Sequence, residues 1–419
     1  MIVLGMLKGA FAMESSWIMN EIEQIAQFGK DKRGVTRLAF SPADCAARDY
    51  VIKLMRESGL AIRIDEIGNI IGRIDGTDDK AAPVVTGSHL DTVPEGGKFD
   101  GIVGVIGGIA ALRTLKARGP LTHPLEVIVF SGEEPSRFGM PAIGSRVMAG
   151  LANEKALGKL RDQDGISFAQ LLAEQGLEIS NLSKAVRRSS EVKAFIELHI
   201  EQGTALEKAN KSIGIVETIA APARCKIIVE GVAAHSGTTP MDERQDALVS
   251  AAMIILAVNE IALEQADRGI VGTVGALKVY PGTMSVVPGL VEMLVDIRGI
   301  DHTSIIECLQ EIKDAVSEIA ERQNTGVAIE ILSSERPANL DSEIIQLLGG
   351  ICRQQKLAYQ FMISGTGHDA MNMSRISPAG LILIPCKEGI SHNPDEYASL
   401  EDIQQGIAVL TEALYQLAK

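Results

Sequence analysis

The chain has 419 residues, 46% of them hydrophobic and 22% charged; this exceeds one ordinary core and predicts two domains. Its formal net charge of −14 excludes a general nucleic-acid or anionic-membrane binder, which needs a basic face. Cys45, Cys225, Cys308, Cys352 and Cys386 are scattered without CxxC spacing, which argues against a disulfide framework or a thiolate metal site and fits a reducing cytoplasm.

The opening "MIVLGMLKGAFAMESSW" lacks a charged n-region, and Lys8 interrupts its apolar run. It reads as a ragged extension, with Met13 an alternative start. No stretch reads as long and apolar enough to span a bilayer. Helical periodicity follows over 16–28 and 46–58. "APVVTGSHLD" reads as a buried strand running into a loop, and "GIVGVIGGIAALRTLKARG" as a helix from just after Asp100 to Gly119. "PLEVIVFSGEE", "KAFIELHIEQG" and "AGLILIPCKEGISH" repeat the pattern of a short apolar run leading into polar residues. Strands alternating with helices predict an α/β fold with a central sheet.

From about Ile213 to Leu332 the order changes to strand, strand, helix, strand, strand, helix, strand. This predicts an α+β unit, residues 213–332, inserted into an α/β domain made of 1–212 and 333–419. Open α/β sheets bind ligands at the carboxyl ends of their strands. Four runs deliver His89, Glu133 with Glu134, His199 and His392 at such ends, so chain-distant residues can share one crevice.

These residues have the chemistry of a metal centre. His89, Asp100, Glu134, His199 and His392 give five nitrogen or oxygen donors. That is more than one catalytic ion needs and suits two ions sharing the carboxylate of Asp100 and a water. The donor set accepts zinc, manganese or cobalt. Asp91, two residues after His89, is placed to orient the other ring nitrogen with its carboxylate. If Glu134 is a ligand, its neighbour Glu133 can serve as general base, passing a proton from the water to a leaving nitrogen. Hydrolysis of an amide-like bond follows. A lone His-x-Asp or Glu-Glu pair is more often a turn cap or a solvated helix end, and His123 and His302 read as surface or capping residues.

"SHLDTVPEGGKFDG", "FSGEEPSRFG", "ELHIEQG", "AAHSGTTPM", "GTGHDA" and "GISHNPDEY" together resemble the motifs of the M20 metallopeptidase superfamily, more narrowly its hydantoinase/carbamoylase amidases. The resemblance runs from about residue 35 to the C-terminus. It implies a catalytic domain with two divalent ions and an inserted lid that also forms a homodimer. His89, Asp100 and His199 would hold one ion, and Asp100, Glu134 and His392 the other, with Glu133 as base. It implies further that His235 stabilises a substrate oxyanion and that Arg298 grips a substrate carboxylate. Gln202, Gly365, Thr366 and Gly367 match other substrate contacts. Ser285 stands where the family usually has asparagine, which removes an amide donor.

The implied reaction is cleavage of the ureido group of a small carboxylate, first an N-carbamoyl-L-amino acid, alternatively allantoate or ureidoglycolate. An exopeptidase or aminoacylase of the same superfamily is disfavoured by "ELHIEQG" and the arginine. A binding protein without catalysis is disfavoured by the intact Glu133.

Overall fold

The computed structural model describes residues 16–419, so the ragged extension and Met13 lie outside the described residues. The chain forms two compact units. One holds the described chain up to Glu217 with Asn339–Met362 and His368–Lys419; the other holds Thr218–Ala338 with Ile363–Gly367. The divisions fall at 217/218 and 338/339 rather than at 212/213 and 332/333. The cause is the strand Ile213–Ile219, which begins as a member of the first unit's sheet before the chain leaves it.

The first unit is built on a nine-stranded mixed sheet. Its central order is Ile213–Ile219, Ala379–Ile384, Ala194–Ile200, Val84–His89, Leu125–Phe130, Ile70–Ile74, Ala61–Ile64. The four strands from Ala379–Ile384 to Leu125–Phe130 run parallel and are buried along their whole length. That is why they read as continuous apolar runs rather than alternating ones. Being parallel and adjacent, they bring their carboxyl ends to one edge of the sheet.

The helix Ile102–Arg118 packs on this sheet with its first eleven residues buried, and helix Leu400–Ala418 packs beside it. Close approach explains the glycines of "IVGVIGGIAAL". A Cβ on Gly104 would lie 2.4 Å from the main-chain oxygen of Leu198, and one on Gly108 2.7 Å from a methyl of Val127. The helix Pro42–Glu57 starts earlier than periodicity predicts because Ser41 caps it, accepting the N–H of Asp44, and Pro42 opens its first turn.

The second unit follows a β-α-β-β-α-β order. Its antiparallel sheet runs Val271–Tyr280, Leu290–Gly299, Ala221–Glu230, Gly326–Ser334. Alternate residues of the two central strands (Ala223, Cys225, Ile227 and Val229; Val291, Met293, Val295 and Ile297) meet helices Ala247–Glu264 and His302–Gln323. Among the described residues, Ala247–Glu264 is long and apolar enough to cross a membrane by length and composition, which corrects the expectation that no such stretch exists. One face, including Ala251, Ile254 and Val258, is buried on the sheet, while Val249, Leu256 and Leu263 on the other are exposed. Apolar residues on both faces produce the match.

Candidate metal centre

Each candidate ligand is delivered by a strand end or by the loop after it. His89 is the last residue of Val84–His89 and His199 the sixth of the seven in Ala194–Ile200. Glu133 and Glu134 follow Leu125–Phe130 on a turn where Gly132 takes φ 64°. His392 follows Ala379–Ile384 in a loop, and its own φ is 55°. Gln202, just past Ile200, has φ 57°. Left-handed backbone at non-glycine residues is uncommon and strained, and it clusters where side chains must be aimed.

The aspartate predicted to bridge is the geometric hub. Asp100 Oδ1 lies 3.0 Å from His199 Nε2 and 3.4 Å from His89 Nε2; Oδ2 lies 3.2 Å from His392 Nε2. His392 Nε2 is also 3.2 Å from Glu134 Oε1. The donors thus form two triads sharing one residue, His89–Asp100–His199 and Asp100–Glu134–His392. All are buried except His392, whose side chain is 50% exposed.

Ring tautomers fit a cation. His89 Nδ1 is 2.9 Å from the carbonyl of Asp91, and His199 Nδ1 is 2.9 Å from the carbonyl of Ile200. A carbonyl only accepts, so each Nδ1 carries a hydrogen and Nε2 is the atom each ring turns toward Asp100. An unprotonated Nε2 repels the carboxylate unless a cation lies between them, and a protonated one brings the positive charge itself. The titration behaviour agrees. Burial opposes charge on His89 and His199, but Asp100 raises both, and Glu133 adds to the rise at His89. Asp100 and Glu134 lift His392 to about 10. Against burial, the three imidazoles hold Asp100 well below the usual carboxylate range. The cluster favours positive charge, which protons or metal ions can supply, and its nitrogen and oxygen donors suit divalent ions.

Glu133 Oε2 sits 3.8 Å from His89 Nε2. Burial, then the charges of Glu134, Asp369 and Asp91, raise its carboxyl well above the usual range, with His89 pulling the other way. Such a group holds a proton more readily than a solvated glutamate does, as a general base requires.

The Asp91 expectation is corrected in detail. Its carbonyl, not its carboxylate, receives the His89 Nδ1 hydrogen; the nearer carboxylate oxygen is 4.0 Å from that nitrogen. The carboxylate instead accepts the main-chain N–H groups of Glu133 at 3.2 Å and Glu134 at 2.9 Å. The His89 ring is already bonded to a carbonyl, and the two buried main-chain donors of the turn would lack an acceptor without this carboxylate.

Gln202 enters the cluster itself, its Nε2 donating to Asp100 Oδ2 at 2.8 Å and to Ser391 Oγ at 3.1 Å. The other expected contacts lie in the second unit. His235 is exposed, and its Nδ1 accepts the N–H of Gly237 at 3.1 Å, leaving Nε2–H free to donate. The exposed Ser285 is tied to the same hairpin, its carbonyl accepting the N–H of Ser236 at 3.0 Å. Arg298 pairs with Asp296 through Nε at 3.1 Å and Nη2 at 3.3 Å, and its Nη1 donates to the carbonyl of Gly365 at 3.0 Å. That brings Arg298 to the Gly365–Gly367 turn, where the Ser364 hydroxyl donates to the Thr366 carbonyl at 3.0 Å.

Sequence reasoning missed a buried group behind the centre. Glu197, His199 and His368 also converge, and the His368 ring meets that of His199 edge-on at 4.6 Å. Burial and the neighbouring histidine charges keep His368 well below its usual pKa, while burial and Glu197 push Asp369 up to about 8. The charged pair inside "GTGHDA" was the available signal. Glu396, in "GISHNPDEY", was missed as well.

The chain is similar to known proteins along most of its length. Residues 85–416 match Peptidase family M20/M25/M40. The chain is 38% identical to an N-carbamoyl-L-amino acid amidohydrolase of Geobacillus stearothermophilus, over 96% of this chain and 98% of that protein. It is also 38% identical to a ureidoglycolate hydrolase of Oryza sativa subsp. japonica, over 97% and 86% respectively. A crystal structure of a hydantoinase/carbamoylase family amidase from Burkholderia multivorans superposes with a TM-score of 0.87 at 34% identity, covering 96% of this chain and 98% of that one. With the strand ends, the donor triads and these matches together, the chain belongs to the M20 peptidase family and, within it, to the hydantoinase/carbamoylase amidases.

Proposed function

We propose that the chain is a metal-dependent amidohydrolase that cleaves the ureido group of a small carboxylate, with N-carbamoyl-L-amino acids as the first substrate class. The observation that carries this reading is the convergence of three imidazole Nε2 atoms on the two oxygens of Asp100, with Glu133 alongside. Two divalent ions, zinc or manganese with cobalt acceptable, would be held by His89, Asp100 and His199 and by Asp100, Glu134 and His392. When bound, they supply Lewis acidity that polarises the ureido carbonyl and acidifies a water.

The chain's own groups do the rest. Glu133 takes the proton of the attacking water and returns it to the departing nitrogen. His235 Nε2–H donates to the oxygen that gains charge in the tetrahedral intermediate. Arg298 holds the substrate carboxylate with its guanidinium fork, helped by Gln202 and the backbone of Gly365, Thr366 and Gly367. Ser285, shorter than asparagine, offers a hydroxyl there.

A second reading, ureidoglycolate or allantoate as substrate, keeps the same chemistry, and the equal identity to the Oryza sativa and Geobacillus proteins supports its ureidoglycolate form as much as the first reading. Ammonia release from manganese-loaded enzyme, measured across N-carbamoyl-L-amino acids, ureidoglycolate and allantoate with a dipeptide as control, tests the proposal. Turnover of the dipeptide alone would overturn it.

In this reading the enzyme is a cytoplasmic homodimer joined through the second unit. The ten-residue strand Val271–Tyr280 is an outer strand of that unit's sheet. Val271 and Leu277 on it, and Leu256 and Leu263 on the adjacent helix, are exposed. A long apolar edge of this kind is what a second copy covers. Five free cysteines suit a reducing compartment.

A further inference from the structure

We propose that Glu396 is a positioning residue that braces the loop carrying Asp100 against the loop carrying His392, and so sets the geometry of the Asp100–Glu134–His392 triad. The inference rests on the metal-centre reading above and adds a residue to it.

Glu396 is 2% exposed. Its Oε1 accepts two consecutive main-chain hydrogens, from Phe99 at 2.8 Å and from Asp100 at 3.0 Å. Its Oε2 accepts the hydroxyl of Ser391, the residue before His392, at 2.8 Å. One carboxylate therefore joins the backbone of the hub aspartate to the segment holding the most exposed ligand. The fit is close: a Cβ on Gly97 would lie 2.3 Å from Glu396 Oε1, so the carboxylate occupies space that only glycine leaves open. Next to it, the ring of Tyr397 meets that of Phe99 edge-on at 5.7 Å, adding a second tie between the same two loops.

The need for a brace follows from the backbone. His392 has φ 55°, a conformation that persists only when surrounding structure over-determines it. His89 and His199 sit on sheet strands, but His392 follows its strand by a loop, and the Ser391 hydroxyl is one of that loop's few bonds to the rest of the centre. Groups that orient ligands in this way are worth about 10–100-fold in metal affinity.

The experiment is a Mn2+ titration of the metal-stripped full chain, with His392→Ala used to identify which equivalent belongs to the His392 side. Glu396→Ala is expected to weaken that equivalent about 10–100-fold and the His89–His199 equivalent, which shares Asp100, by less. Glu396→Gln keeps an oxygen acceptor for both amides, and its NH2 can donate to the Ser391 hydroxyl, so it should bind both equivalents within about three-fold of the parent chain. Ser391→Ala, which removes only the tie to the His392 loop, should weaken the same equivalent and serves if Glu396→Ala does not fold. Parent-like Mn2+ binding by both Glu396→Ala and Ser391→Ala, or equal losses in Glu396→Ala and Glu396→Gln, overturns the brace. A parent chain that binds no Mn2+ overturns the metal centre itself, and the brace with it.

Discussion

Asp91 Oδ2 accepts the main-chain N–H of Glu134 at 2.9 Å, and Oδ1 accepts that of Glu133 at 3.2 Å. One buried carboxylate therefore fixes the turn carrying both the proposed base and a proposed ligand. Asp91→Ala leaves two amides without acceptors and loosens that turn. We expect kcat/KM to fall about 10–100-fold and thermal stability to drop by about 1–3 kcal/mol. Steady-state kinetics and thermal unfolding check both; an undisturbed rate would remove the role.

Glu133→Gln removes the base without changing its size. The expected loss is about 10²–10⁴-fold in kcat, with metal content, read by elemental analysis, unaltered. The pH profile tests the same residue. A general base works unprotonated, and the Glu133 carboxyl is raised well above its usual range by burial and by Glu134. Activity is therefore lost as pH falls through a value above the ordinary glutamate pKa of about 4.3. Bound cations pull that limb back down, so it should move with the metal supplied.

Removal of metal should abolish turnover and destabilise the fold. Ions that bind only the native state stabilise it by about 2.7 kcal/mol at one hundred times their dissociation constant. Exhaustive chelation should lower the unfolding temperature, and added manganese, zinc or cobalt should restore it. Full activity after verified removal would end the metal reading.

Gly104→Ala tests the packing beneath the site. The new methyl would lie 2.4 Å from the Leu198 carbonyl, in the strand that bears His199. Overpacking of this kind costs about 1–3 kcal/mol, more than the helix-propensity gain of about 1 kcal/mol for replacing glycine. Chemical denaturation should show net destabilisation.

Leu256→Lys combined with Leu263→Lys places charge on the exposed apolar helix face of the second unit. Sedimentation should show two-subunit particles for the parent chain and single subunits for the double variant. A parent chain that sediments as a monomer at micromolar concentration would contradict the homodimer.

The proposed metal donors were legible because strands buried on both faces leave unbroken apolar runs, and the polar residues after them mark the sheet edge where ligands gather. The order of elements in the second unit was legible from alternation for the same kind of reason. Asp91 was only half legible: spacing pointed to His89 correctly, but whether a carbonyl or a carboxylate meets the ring depends on backbone direction, which a two-residue spacing does not encode. Glu396 carried no periodic signal at all, since its partners Phe99 and Asp100 are nearly three hundred positions away. Ile213–Ile219 shows why the boundary moved: a strand start and a domain start need not coincide. The helix Ala247–Glu264 shows that composition alone does not say which of two apolar faces meets a core.

The strand Ala379–Ile384 lies inside the sheet, between Ile213–Ile219 and Ala194–Ile200. It comes later in the chain than both of these neighbours, yet it fills the slot between them. Until that strand is in place its neighbours cannot close the central layer, and the loop bearing His392, which follows it, has no anchor on the sheet. Completion of the sheet and completion of the proposed ligand set are therefore one folding event.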